Sequence, residues 1–350
     1  MDKGTRNRIQ AATQKARALL EAEFTAQLEG VFDVRADGTL GEAADYLSGA
    51  QSVIREKIIA AIESERAKGV PSDAAVTAYI RETSFTTLNR FVALKMLEAR
   101  DLLLECISSE QQSSGFKEFA QLGLADGLMQ TEDHGYRLYL ESLFDELGLE
   151  IGVLFDRRNV SCLLWPRRAC MLQLLALINE DVLSKVWAVD ETLGWFFQFF
   201  SSTDERRAMK DVSRGGSQAP RSSWELATRN QFFTPKFVVE FLTQNTLGRL
   251  WCQMRSGDTR VTGSFEFFAA PITEPRDGAV GNSALRDHPY RQAVDTVGPA
   301  LKDPRDIRVL DPACGSGHFL LCAYDVLADI YAEAWQEGGP TALSLSLIHI

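Results

Sequence analysis

Nine residues, Asp311-Pro312-Ala313-Cys314-Gly315-Ser316-Gly317-His318-Phe319, stand where a short apolar run (307–310) hands over to an apolar-periodic segment. That order reads as strand, tight glycine turn and helix N-terminus, which together make a nucleotide-sized pocket with free backbone N–H donors. Gly315 and Gly317 allow positive φ and let a ligand reach the backbone where a Cβ would block it. Two alternatives fail at single positions. A dinucleotide fingerprint needs a third glycine where Leu320 stands, and a phosphate-binding loop needs Gly-Lys-Ser/Thr where His318-Phe319 follows.

A second segment lies upstream. Gln231-Phe232-Phe233-Thr234-Pro235 precedes an amphipathic stretch at 237–242. Thr234 is expected as the N-cap of a helix and Pro235 as its first residue.

Composition narrows the setting. The 350 residues allow two or three domains, and 45% hydrophobic with 24% charged residues is the balance of a globular protein. The mixed-charge residues 1–18 do not read as a signal peptide, and the apolar stretches 170–178 and 193–200 are too short to span a membrane. Six cysteines without a C-x-x-C pair, with only four histidines, argue against a zinc or other metal site. They read as reduced thiols of a cytoplasmic protein, with Cys314 as a small apolar filler in its loop. A net charge of −11 argues against strong nucleic-acid binding by this chain alone. Residues 201–260 reverse that sign locally, with ten Lys/Arg against six Asp/Glu around the polar run 213–223. That run reads as a solvated linker, with contact to a DNA backbone as the alternative.

Residues 1–210 read as helical. Helices are expected at 52–68 (stopped by Gly69 and Pro71), 84–107, 136–147, 166–179 and 192–200. The 84–107 stripe carries Phe85, Leu88, Val92 and Met96 and is interrupted by Asn89-Arg90, while the aromatic 192–200 segment reads as core. Residues 148–154 are a candidate strand. In 211–350, a Gly/Pro-rich insertion (256–306) separates the two segments above, and the last helix is expected to bury Phe319, Leu320, Ala323, Leu327, Ile330, Tyr331 and Ala334 before Gly338-Gly339-Pro340. Residues 341–350 read as a foreign tail on a truncated gene model. No internal repeat of 20–50 residues is present.

The string D-P-x-C-G-S-G-x-F, with F-F-T-P upstream, resembles motifs I and X of S-adenosylmethionine-dependent DNA adenine methyltransferases. Residues 87–94, 190–195, 225–235, 238–242 and 245–249 extend the resemblance to one family, the BREX phage-defence adenine-specific DNA methyltransferases (PglX family). Its members are much longer, so the chain looks like an N-terminal fragment ending just after motif I. The resemblance implies an α/β protein: an N-terminal all-α helical domain (1–210), then the start of a Rossmann-like S-adenosylmethionine-dependent methyltransferase domain (211–350), truncated, with motif X at 231–235 and motif I at 311–319. It implies methyl transfer from S-adenosyl-L-methionine to N6 of adenine in a short site of double-stranded DNA, with the target base flipped out and its amine held by an N-P-P-Y tetrapeptide.

Residue roles follow from the same resemblance. Thr234 and Pro235 shape the carboxylate end of the cofactor; Phe232 or Phe233 lies near its methionine moiety. Asp311 orients the loop or accepts from the cofactor's amino group. Ala313, Cys314, Gly315, Ser316 and Gly317 line the backbone nest, and Phe319 packs beneath or beside the ligand. The sequence contains no N-P-P-Y. The nearest string, Asp287-His288-Pro289-Tyr290, has His at its second position, lies between the two motifs and reads as a surface turn. This chain therefore holds no catalytic residue and is expected to be inactive and a poor cofactor binder by itself. Two other readings stay open: a methyltransferase acting on RNA or a protein amide, and a helical scaffold that docks other phage-defence subunits around an incomplete methylase core.

Overall fold

The computed structural model describes residues 1–42, 46–122, 135–201, 219–220, 223–230, 233–269 and 302–336. The chain divides into two compact units, Met1–Gln231 and Phe232–Ile350. The expected division at 210/211 lies outside the described residues, as do the 287–290 turn and the 341–350 tail.

The first unit is built from α1 (Lys3–Gly30), α2 (Gly49–Ala67), α3 (Ser72–Glu98), α4 (Ser114–Gln121), α5 (Tyr136–Leu147), α6 (Arg168–Ile178), α7 (Glu191–Phe200) and α8 (Ser223–Asn230). Asp2 starts α1 by accepting the Thr5 N–H at 3.0 Å. Ile9, Ala12, Ala16, Leu20, Phe24 and Leu28 then recur every three or four residues, and all are buried. That stripe packs α1 against α3, α6 and α7. Helix α2 opens with a capping box, Ser48 N–H donating to Gln51 Oε1 (2.9 Å) and Gln51 N–H to Ser48 Oγ (3.3 Å). It stops near the expected place, ahead of Gly69 at φ 88° and Pro71.

Helix α3 begins and ends earlier than the expected 84–107. Asn89 and Arg90, which broke the apolar stripe, are both buried. Arg90 is tolerated there because it donates to the Leu154 carbonyl (2.6 Å) and the Asp156 carbonyl (3.1 Å), with its guanidinium 5.0 Å from the Phe144 ring centre. Beyond α3, Glu98 Oε2 accepts three successive amides, Cys106 (2.7 Å), Ile107 (2.6 Å) and Ser108 (3.2 Å), which turn the chain back instead of prolonging the helix. The candidate strand at 148–154 is a helical turn, Gly152–Phe155, with the Phe155 N–H donating to the Ile151 carbonyl at 3.0 Å. The aromatic segment of α7 is core: Trp195, Phe196 and Phe200 are buried, and Phe85 sits edge-on to Phe200 at 5.0 Å.

The second unit has α9 (Lys236–Thr243), a π-helical turn at Gln244–Gly248, α10 (Arg249–Met254), a 3-10 turn at Val261–Ser264, and α11 (His318–Gln336). Leu247, Trp251, Met254, Val261, Ala323, Val326, Leu327 and Ile330 form its core. The inward face of α11 is rotated from expectation. Val326 and Glu333 are buried, whereas Phe319, Leu320, Tyr331 and Ala334 are half-buried. Glu333 is accommodated by the Trp251 indole N–H (2.6 Å), the Thr259 hydroxyl (2.8 Å) and the Arg260 amide (2.5 Å).

The expected Rossmann-like α/β architecture is corrected by these elements. Among the described residues there is no strand and no sheet, only one isolated bridge between Val34 and Leu40. Residues 307–310 do not form the expected strand: among the described residues no segment pairs with their backbone groups. The outcome is visible in their side chains: Leu310 is 86% exposed and Val309 40%. The described structure is all-α.

Candidate cofactor-binding site

The glycine loop is shaped by its own residues. Asp311 Oδ1 accepts the Ala313 N–H at 3.0 Å, which turns the chain directly after the extended run. Asp311 Oδ2 is shielded from solvent and accepts no hydrogen bond among the described residues. The Gly317 N–H donates to the Cys314 carbonyl at 2.8 Å, and the Leu321 N–H to the Gly317 carbonyl at 2.9 Å, which opens α11. Gly315 and Gly317 have φ of 55° and 79°, a conformation that an L side chain rarely adopts. A Cβ at Gly317 would meet no atom within 4 Å, and one at Gly315 only the Ala313 carbonyl at 3.8 Å. The loop thus leaves open space beside its backbone. Ala313 and Cys314 are exposed, and Ser316 and Phe319 half-buried. Cys314 therefore does not pack as an apolar filler.

The upstream segment begins a helix one residue later than expected. Pro235, not Thr234, occupies the N-cap position, with φ −57° and ψ 142°, and no side chain caps the helix. The Pro235 carbonyl instead starts α9 by accepting the Val238 N–H at 3.0 Å. A proline with extended ψ leaves its carbonyl aligned with the first turn, which satisfies the helix start without a side-chain oxygen. Phe232 lies outside the described residues.

The two segments meet through a residue that sequence reasoning used only to reject a phosphate loop. The imidazole of His318 stacks on Phe233, with ring centres 4.8 Å apart and planes within 4°. Its Nδ1 lies 3.2 Å from the Thr234 carbonyl oxygen. A carbonyl only accepts, so Nδ1 carries the hydrogen. Helices α9 and α11 pack along one another, and this contact joins their starts. The signal available in the sequence was a ring-bearing donor directly after the second glycine, matched by the paired phenylalanines before Thr234.

Around this contact, burial pushes the Cys322 thiol up, so it behaves as a packed side chain rather than a nucleophile. A cavity of about 130 Å³ lies elsewhere, in the first unit, lined by Tyr136, Arg137, Trp165, Arg167 and Met171 among others, and includes no residue of either motif. Among the described residues no three His, Cys, Asp or Glu side chains gather as a metal site, and no helix is long and apolar enough to cross a membrane.

The open backbone at Gly315 and Gly317 and the unsatisfied Asp311 oxygen fit a polar ligand that offers an N–H and needs close backbone approach.

No protein-family model matches the chain. Over 154 residues it is 32% identical to the adenine-specific methyltransferase BrxX of Escherichia coli O9:H4 (strain HS), a match covering 44% of this chain and 11% of that protein. Over 328 residues it is 23% identical to the adenine-specific methyltransferase PglX of Lacticaseibacillus casei (strain Zhang), covering 83% of this chain and 25% of that protein. The chain thus spans about a tenth and a quarter of the lengths of these two curated relatives. By sequence, it is a homologue of the adenine-specific methyltransferases BrxX and PglX.

Proposed function

We propose that the protein to which this chain belongs is an S-adenosylmethionine-dependent DNA adenine N6-methyltransferase of a cytoplasmic phage-defence system, and that residues 232–319 supply part of its cofactor site. The observation that carries this reading is the meeting of the Phe-Phe-Thr-Pro segment with the glycine loop, through Thr234, Phe233 and His318. Two segments that carry the adenine-methylase pattern converge within one compact unit. The two relatives, both adenine-specific methyltransferases, support the same reaction class.

When bound, the cofactor supplies an electrophilic methyl group. The residues of this chain bind and orient. The starts of α9 and α11 would offer N–H groups and the positive ends of helix dipoles to the cofactor's carboxylate. Thr234 and Pro235 shape that end. Phe232 or Phe233 offers a ring face near the sulfonium. Asp311 Oδ2 would accept an N–H of the cofactor, the backbone of Ala313, Cys314, Gly315, Ser316 and Gly317 would line its approach, and Phe319 would pack against it.

The tetrapeptide that would hold the adenine amine is not in this sequence, so the DNA and the methyl-transfer step belong to the intact protein. The 350-residue chain alone is expected to leave adenine unmodified; detection of N6-methyladenine in DNA incubated with it would refute this. In the intact protein, Gly317→Val is expected to abolish S-adenosylmethionine binding in a calorimetric titration, because valine both resists positive φ and fills the approach. Unchanged affinity would remove the site from residues 311–319.

A further inference from the structure

We infer that His318 is a positioning residue of the cofactor site, a clip that sets the Phe233 ring and the Thr234 backbone against the glycine loop; this rests on the function proposed above. Three features of His318 point the same way. His318 is the first residue of α11, directly after Gly317, so its Cα is fixed by the very turn that shapes the loop. Its ring lies flat on Phe233, within 4° of parallel. Its Nδ1 donates to the Thr234 carbonyl, a group that precedes α9.

The geometry makes the clip two-sided. Stacking holds the plane of the Phe233 ring, and the hydrogen bond holds the peptide that follows it. Neither contact needs the ligand, so both are in place before binding. A site whose aromatic wall is set in advance loses less conformational freedom on binding than one that must order the wall each time. Loss of the clip is therefore read as weaker cofactor binding, with binding of DNA left alone. In this role His318 touches neither cofactor nor DNA; it acts through Phe233 and Thr234.

The test has a structural arm and a binding arm. In the 350-residue chain, 15N NMR of the histidine side chains at about pH 8, where an imidazole is ordinarily neutral, is expected to show His318 with the proton on Nδ1. A proton on Nε2 instead overturns the clip. In the intact protein, His318→Ala is expected to raise the calorimetric Kd for S-adenosylmethionine about tenfold, the scale of having to order the freed Phe233 ring and Thr234 peptide on binding, with KM for DNA unchanged. His318→Asn places an amide N–H near the position of Nδ1 and is expected to recover most of that loss. Equal affinity of wild type and His318→Ala, or no recovery in the Asn variant, overturns the inference. If wild type itself binds no S-adenosylmethionine, the proposed function fails instead, while the NMR arm still reports on the clip.

Discussion

Two residues show how single side chains decide local structure in opposite ways. Arg17 is buried in α1 yet charged, and the contacts around it explain why. It donates to Glu21 at 2.8 Å and to the Phe200 carbonyl at 2.8 Å, with its guanidinium 5.2 Å from the Phe200 ring centre. The α7 C-terminus is thereby given a cation for its terminal carbonyl. Replacing Arg17 with Met keeps the bulk and removes the donors, leaving that carbonyl without this partner. Urea unfolding of Arg17→Met is expected to show a loss of about 1–3 kcal/mol; a midpoint equal to wild type would show that the contact contributes nothing. Gly248 decides by having no side chain, since a Cβ there would stand 2.4 Å from a Phe265 ring carbon. Its neighbour Asn245 uses its amide on the same segment, donating to the Phe267 carbonyl (2.8 Å) and accepting the Ala269 N–H (2.9 Å). Asn245, Gly248 and Arg249 contributed to the family resemblance, and in the structure they hold residues 265–269 in place.

At the scale of elements, two carboxylates act as fasteners. Burial pushes the Glu98 carboxyl up, but bonds from the Ser108 hydroxyl and the Ile107 and Cys106 amides, with Lys95 nearby, outweigh it and bring it down to about 2. Glu333 follows the same pattern: burial raises it, while bonds from Trp251, Arg260 and Thr259 lower it below its ordinary value. Both folded values lie below the unfolded one. The stabilisation is therefore complete above the ordinary glutamate range and is lost as pH falls from there, toward about 2 for Glu98. Urea midpoints are expected to fall across that acid window, and Glu98→Gln to flatten the fall, its carboxylate having contributed on the order of 2–3 kcal/mol at neutral pH. An identical pH profile in the variant would contradict this. These fasteners also mark where sequence reading stopped. Periodicity revealed α2, α5, α6 and α7, because an apolar stripe needs only local spacing. It missed the buried Glu333 and misread Asn89-Arg90 as an interruption, because a polar residue is admitted to a core by partners distant in sequence. The glycine loop and its positive φ were legible from residue type alone. The strand expected at 307–310 is not formed, since a strand exists only with a neighbour to bond, and the N-cap shift from Thr234 to Pro235 turned on one backbone angle.

For the whole molecule, each unit closes a core of its own. In the first unit the α1 stripe is buried against α3, α6 and the aromatic cluster of α7. A polypeptide of residues 1–231 is expected to unfold in urea as a cooperative helical unit by circular dichroism; a broad, non-cooperative loss of signal would show that it depends on the rest. The contact between Arg17 and Phe200 spans 183 positions, and this has a consequence during synthesis. The first helix leaves the ribosome long before the last one it packs on exists. At ~5–20 residues per second, its apolar stripe waits roughly 10–40 s for that partner. In that interval the nascent chain is open to chaperones or to a neighbouring nascent copy.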